Sequence, residues 1–227
     1  MREPIILSWS GGKDSSLALA ALRTDPAVEV VGLLTSMTRG YDRISIHGVR
    51  RTLLAAQAAS LGLPLTEITL EPASSNAAYE AAFQDAACRL QRAHPALERI
   101  AFGDLFLADV RDYRERLLGP LELRGHYPLW AMDTTQLAHE FIDAGYHARL
   151  VCVDTSQLAA DFAGRMFDRS LLADLPPSVD PCGEGGEFHT FVADGPIFNI
   201  PIPHEVGPVV MRDERFAYCD LLGVIAT

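Results

Sequence analysis

The chain has 227 residues, 48% of them hydrophobic and 22% charged, with a formal net charge of −11. That size and balance fit a soluble globular protein with an ample core, and the acidic charge argues against a broad grip on nucleic acid or phosphate surfaces. No apolar run approaches a membrane span and the first residues enter a strand pattern without a secretory-signal layout, so the expected compartment is the cytoplasm. Cys88, Cys152, Cys182 and Cys219 lie far apart with no C-x-x-C pair, which argues against zinc or iron–sulfur ligation and fits reduced thiols.

Residues 4–9 read as a buried strand and 15–22 as a helix. A second buried strand is expected over 28–34. A helix follows over 48–61, where Leu53, Leu54, Gln57 and Leu61 recur near helical spacing and Gly62 supplies the stop. Residues 64–70 alternate like a strand. Residues 77–93 form an Ala-rich helix started by Ser75 or Asn76, 99–104 a further strand, and 105–118 a further helix. Such a βαβα series predicts an α/β fold: a parallel sheet covered by helices on both faces, with ligands at the carboxyl ends of its strands. The Gly- and Pro-bearing stretch 119–128 marks the break between an expected first lobe, residues 1–125, and a second, residues 126–227. The second lobe shows a helix over 134–145, a strand over 149–153 and β-like pieces over 188–192 and 196–202, and reads as a smaller α+β unit.

Lys13 is the sole lysine, against eighteen arginines. Lysine is ordinarily common, so one position requires a compact ammonium rather than a planar guanidinium. It lies in Ser10-Gly11-Gly12-Lys13-Asp14-Ser15, between the first strand and the first helix, where free backbone N–H groups and the helix dipole face an anion. This is a phosphate cradle, and not a Walker A loop, because Leu7 stands at the first glycine position and Asp14 follows the lysine. A second cluster, Asp180-Pro181-Cys182-Gly183-Glu184-Gly185-Gly186-Glu187-Phe188-His189-Thr190, gathers glycines, carboxylates, a histidine and a hydroxyl in a few residues. Its carboxylates suit an amine, Mg²⁺ or general-base work; a tight loop capping a hairpin is the plainer alternative. Arg111, Arg114 and Arg116 alternate with Asp109, Asp112 and Glu115, which reads mostly as an ion-paired solvent face.

The first motif resembles the SGGxDS loop of the PP-loop ATP pyrophosphatases. With the second, and with Ile46-His47-Gly48-Val49-Arg50, Phe102-Gly103-Asp104, Asp109-Val110-Arg111, Pro128-Leu129-Trp130 and Asp194-Gly195-Pro196, the chain resembles the diphthine–ammonia ligase family along its whole length. The resemblance implies a HUP-like (adenine nucleotide α-hydrolase-like) first domain and a family-specific second one. It implies an ATP-dependent ligase that adenylates a carboxylate, releases pyrophosphate and forms an amide with ammonia. Where the family's ligases carry an acidic residue this chain has His189, a form that resembles the bacterial branch.

Residue by residue, the resemblance implies phosphate binding by Ser10, Gly11, Gly12 and Ser15, with Ser8 and Ser16 beside them and Lys13 neutralising the departing pyrophosphate. Asp14 would cap the helix or hold Mg²⁺; Asp104 would hold Mg²⁺ or contact the acceptor, with an N-cap as its alternative. Thr35, His47 and Gly103 would line the nucleotide pocket. Glu184 and Glu187 are the expected catalytic carboxylates, with Gly185, Gly186, His189 and Thr190 forming the acceptor wall and touching ATP little. Arg111 and Trp130 are the remaining substrate-binding candidates: Arg111 could reach back to phosphate or a carboxylate acceptor, against a surface ion pair, and Trp130 could stack a planar group, against core packing. The implied ligands are ATP, Mg²⁺, ammonia and a small-molecule or protein carboxylate; membrane and nucleic acid are not expected, and a homo-oligomer is allowed. The rival readings are a PP-loop tRNA-modifying enzyme and an ATP-binding regulatory module without turnover.

Overall fold

The computed structural model describes residues 2–40, 42–44 and 47–224; Ile46 of the resemblance motif lies outside them. Strand β1 (Glu3–Ser8) places Ile5 and Leu7 on one face and Ile6 on the other, all fully buried. That is the pattern of a strand covered on both sides. Helix α1 (Lys13–Thr24) follows, then β2 (Val28–Thr38), β3 (Arg43–Ile44), α2 (Arg51–Leu61), β4 (Leu65–Leu70), α3 (Asn76–Ala93), β5 (Arg99–Ala101), α4 (Ala108–Leu118) and β6 (Arg124–His126). Strands β4, β2, β1, β5 and β6 lie side by side in that order, all parallel, while the short β3 pairs antiparallel with the far end of β2. Helices α3 and α4 cover one face, where Phe83, Ala86, Leu90, Leu117 and Leu118 meet Ile6, Leu34 and Ile100.

The opposite face meets α1, α2 and the second lobe in one continuous core. That lobe comprises α5 (Thr134–Asp143), β7 (His147–Asp154), α6 (Arg169–Asp174), β8 (Phe188–Asp194), β9 (His204–Arg212) and β10 (Phe216–Gly223). Its four strands form an antiparallel sheet ordered β8-β7-β10-β9. The architecture is therefore the expected α/β sheet with a smaller α+β lobe. Among the described residues no helix is long and apolar enough to cross a membrane.

Local details depart from the sequence reading. Strand β2 runs to Thr38 because both β3 and β4 supply partners to its last residues. Strand β5 stops at Ala101 and α4 begins at Ala108, leaving 102–107 as a connecting segment. Strand β6, inside the expected break, extends the parallel sheet through pairs with Arg99, Ile100 and Ala101. Residues 196–202 are not a strand: Pro196, Pro201 and Pro203 lack ladder donors, and Ser60 holds the segment instead through Asn199 and Ile200.

One buried amide joins the lobes. Gln57, fully buried on α2, accepts from Trp9 Nε1 at 3.0 Å through Oε1 and donates through Nε2 to the carbonyls of Gly11, at 3.0 Å, and Val192, at 2.6 Å. Val192 N–H also donates to Gly11 O at 2.9 Å, so β8 is laced onto the turn after β1. Gly11 has φ +77°, and a Cβ there would lie 2.7 Å from Gln57 Oε1, so the position requires glycine twice over. Gln57→Leu strands a buried indole N–H and leaves both carbonyls short of a donor. It should lower stability by about 3 kcal/mol with the urea m-value unchanged; a loss under about 1 kcal/mol in urea unfolding contradicts this account.

Candidate active site

The strand order reverses between β1 and β5, and ligands of open parallel sheets bind in the crevice that such a reversal opens at the strand carboxyl ends. Here it is a cavity of about 340 Å³. Three segments wall it. Ser8, Ser10, Gly12, Lys13, Asp14 and Ser15 come from the turn into α1; Phe102, Gly103, Asp104, Leu107, Val110 and Arg114 from the exit of β5 and from α4; and Gly183, Glu184, Phe188, His189 and Thr190 from the second lobe, with His47 beside them. Gly103 allows the second segment to approach the first, since a Cβ there would sit 2.9 Å from the Asp14 carbonyl carbon.

Lys13 is 2% exposed. Its ammonium donates to Asp14 Oδ1 at 2.7 Å and Oδ2 at 2.9 Å, and to the carbonyl of Cys182. Burial alone would depress its pKa, but the Asp14 carboxylate and the other nearby acids outweigh that and raise it, so the charge is retained. Its own N–H donates to Thr190 Oγ1 at 3.0 Å. Gly12 at the start of α1 provides no side-chain cap and the Thr190 hydroxyl takes only the first helical N–H, so the positive end of the helix dipole still faces the cavity.

The loop that reaches Lys13 is shaped by Asp180. One carboxylate oxygen accepts from Cys182 N at 2.9 Å and Glu184 N at 3.2 Å, and the other from the Thr134 hydroxyl at 2.6 Å. Asp180 thereby aims the Cys182 carbonyl at Lys13 and sets Glu184 in the cavity. Glu184 Oε1 accepts from Leu105 N at 2.8 Å and Phe106 N at 3.4 Å. Burial, with Asp14 and Asp104 nearby, outweighs these bonds and pushes its carboxyl up to about 6. His189 faces His47, ring centroids 4.4 Å apart and tilted by 38°. Burial, and secondarily the Lys13 charge, holds His189 down to about 4, so it is neutral at neutral pH.

Other expected site residues lie elsewhere. Glu187 is buried beneath its loop, where Oε1 accepts from Asp180 N at 3.0 Å and Oε2 has no partner among the described residues. It supports the loop rather than walling the cavity. Ser16 is fully buried and donates to Gly12 O, and Gly11 sits behind the turn. Thr35 is buried on β2 with its hydroxyl unpartnered. Gly185 packs on the Glu187 carboxylate, and neither it nor Gly186 is among the residues that wall the cavity. Arg111 and Trp130 stand outside the wall, with the guanidinium carbon 4.7 Å from the Trp130 ring and 4.8 Å from the Tyr127 ring.

The expected separation of the second motif from the phosphate loop does not hold, because Cys182, Thr190 and Val192 all bond the Gly11–Lys13 turn. Arg114 was assigned to a solvent face, yet it pairs bidentately with Asp104, with Nη2 to Oδ1 at 3.0 Å, and covers Phe102. The signal was present: Leu107, Val110 and Arg114 share one helical face. Asp14 and Asp104, expected to hold Mg²⁺, are each occupied by a cation. Among the described residues no three His, Cys, Asp or Glu side chains cluster as a metal site. The side chains present therefore do not fit a metal held by protein ligands alone.

Residues 3–124 match the model of the diphthamide synthase N-terminal domain, and residues 133–210 that of the diphthamide synthase C-terminal domain. The chain belongs to the diphthamide synthase family. Among relatives of this family, the diphthine–ammonia ligase of Schizosaccharomyces pombe is 26% identical over 83% of this chain and 34% of its own length. The diphthine–ammonia ligase of Danio rerio is 33% identical over 49% of this chain and 46% of its own. The chain thus spans between a third and a half of the length of these relatives. A predicted subunit of tRNA methyltransferase from Methanocaldococcus jannaschii aligns with a TM-score of 0.40 and 18% identity, covering 83% of this chain and 95% of that one. That likeness is too loose to carry an argument.

Glu184 gives a pH signature. Its carboxyl binds a proton more tightly folded than unfolded, so its contribution to stability is complete below pH 4.5 and is lost as pH rises to about 6. The unscreened shift is halved here because the group opens onto the cavity, leaving about 1 kcal/mol. Glu184→Gln should remove this slope, so that stability measured by urea unfolding from pH 4 to 7 falls less in the variant than in the parent. Parallel curves would contradict the raised pKa.

Proposed function

We propose that this chain is an ATP-dependent amide-forming ligase whose nucleotide phosphates bind in the cavity between β1 and β5. The observation that carries the reading is Lys13, the sole lysine, buried at the sheet's switch point at the start of α1, with acceptors from both lobes. Family membership supports ATP as co-substrate. Residues 1–125 are taken as the nucleotide lobe and 126–227 as the lobe that closes it.

In the proposed reaction an oxygen of the acceptor carboxylate attacks the α-phosphorus, and the bond to the bridging oxygen breaks, releasing pyrophosphate. Lys13 and the N–H groups at the start of α1 stabilise the charge that develops on the leaving group. Ammonia then attacks the acyl carbon, and AMP departs with the bonding electrons. Glu184, ionised above about pH 6, takes the proton that the nitrogen loses. His189 and His47 wall the cavity as a pair in which His189 is uncharged at neutral pH, and Ser8, Ser10, Ser15 and Thr190 provide hydroxyls. Asp104, held by Arg114, orients the cavity wall rather than the metal expected there. No step is drawn through Mg²⁺. In this reading the acceptor is a carboxylic acid, and the diphthine named for the relatives is one candidate.

With ATP, ammonium and a competent acid, the products should be AMP and pyrophosphate; ADP and phosphate as sole products would overturn the reaction class. Lys13→Arg should lower turnover by about a hundredfold or more, the scale of a lost electrostatic donor. A guanidinium would have to take the place of an ammonium that is 2% exposed and held by both Asp14 and the Cys182 carbonyl. Near-parental turnover in that variant would return the lone lysine to composition.

A further inference from the structure

Beside the cavity mouth lies a rim that the reaction above does not use. The N–H of Arg111 donates to Leu107 O at 3.1 Å, and Leu107 and Val110 wall the cavity, so Arg111 stands on the adjoining strip of α4. Ala131 N donates to Leu105 O at 2.8 Å, which lays 130–132 against the segment between β5 and α4. Phe106 is 46% and Met132 38% exposed there, and Glu184 Oε1 lies 3.4 Å from Phe106 N. The proposed base thus lies against the backbone of the segment that carries Phe106.

The Arg111 guanidinium is seated over the Tyr127 and Trp130 rings, which meet edge to face with centroids 5.8 Å apart. Ring contacts cover the faces of a guanidinium but leave its N–H donors in the plane. Among the described residues no carboxylate or carbonyl takes those donors, although Asp109, Asp112 and Glu115 share the helix. Arg114, one turn on, is by contrast fully engaged with Asp104. The aromatic pair therefore fixes a cation in place and leaves its hydrogen bonds unmade.

We propose that this rim docks the acceptor, and that the acceptor is an acid carrying a second anionic group on an apolar body. The proposal rests on the ligase reading and adds the substrate class. The reacting carboxylate must reach the α-phosphorus near Lys13, whereas Arg111 does not wall that cavity. The anion that pairs with Arg111 is therefore not the one that reacts. The exposed Phe106 and Met132 on the segments beside the rim give such a body apolar surface to meet.

The test is calorimetric titration of two probes, naphthalene-2,6-dicarboxylate and naphthalene-2-carboxylate. The dicarboxylate should bind about tenfold tighter, the scale of one charge-assisted pair. Arg111→Gln should bring the two within about twofold, and Arg111→Lys should restore only part of the difference because an ammonium lacks the planar fork. Phe106→Ala, an exposed change that does not endanger folding, should weaken both probes alike. Equal binding of the probes by the parent protein, or a difference that survives Arg111→Gln, overturns the anionic contact; no binding of either overturns the docking rim. ATP titrated separately into the parent protein keeps the two readings apart, since absent nucleotide binding sinks the ligase assignment while leaving the probe result intact.

Discussion

Burying one ammonium is the constraint around which the rest of the molecule is arranged. Taking a charge from water costs several kcal/mol even after relaxation, and only close, well-aimed acceptors offset it. Lys13 finds them in Asp14 on its own helix and in a carbonyl on the far lobe. That carbonyl is aimed by Asp180, whose carboxylate is in turn fixed by Thr134 on α5 and braced through its N–H by Glu187. The antiparallel lobe is thus a structural part of the phosphate loop. Gln57 and the β8 backbone complete the same junction from the other side.

Charge is distributed accordingly. A chain of net charge −11 that is to receive a polyanion must hold cations locally. It does so in pairs, Lys13 with Asp14 and Arg114 with Asp104, so each cation is already balanced by a carboxylate. In the proposed function, incoming phosphates would exchange with carboxylates already in place. Burial keeps His189 neutral near neutral pH, so the remaining wall carries the charge of Glu184, ionised above about pH 6.

Most of the first lobe was legible in the sequence because its strands are buried on both faces and its helices are long and periodic. The phosphate loop was legible because glycines, a hydroxyl and a unique lysine share a strand-to-helix turn. Strand β6 was missed: three residues, Arg124–His126, carry no periodicity, and only the open edge of β5 makes them a strand. Strand β9 was missed because Gly207 and Pro208 interrupt a run of exposed valines, and β10 was missed too, although Ala217, Cys219 and Leu221 alternate into the core. The role of Glu187 was illegible for a different reason. Two glutamates three residues apart look alike in sequence, and only the turn around Asp180 sends one into the cavity and the other beneath the loop.

The partners of the Lys13 backbone are separated by 177 residues, since its N–H bonds the Thr190 hydroxyl. A ribosome adding ~5–20 residues per second needs roughly 9–35 s to cover that distance. Throughout that interval the nascent chain can hold a paired parallel sheet and a glycine turn, but not a finished cradle. The lysine is then held only by its neighbour Asp14 and by water. Competence for a phosphate ligand therefore arrives late in synthesis and all at once, when β8 closes against α1. A chain broken off before β8 would lack the Thr190 hydroxyl and the Val192 backbone that bond the turn, and with them the geometry that makes its one lysine useful.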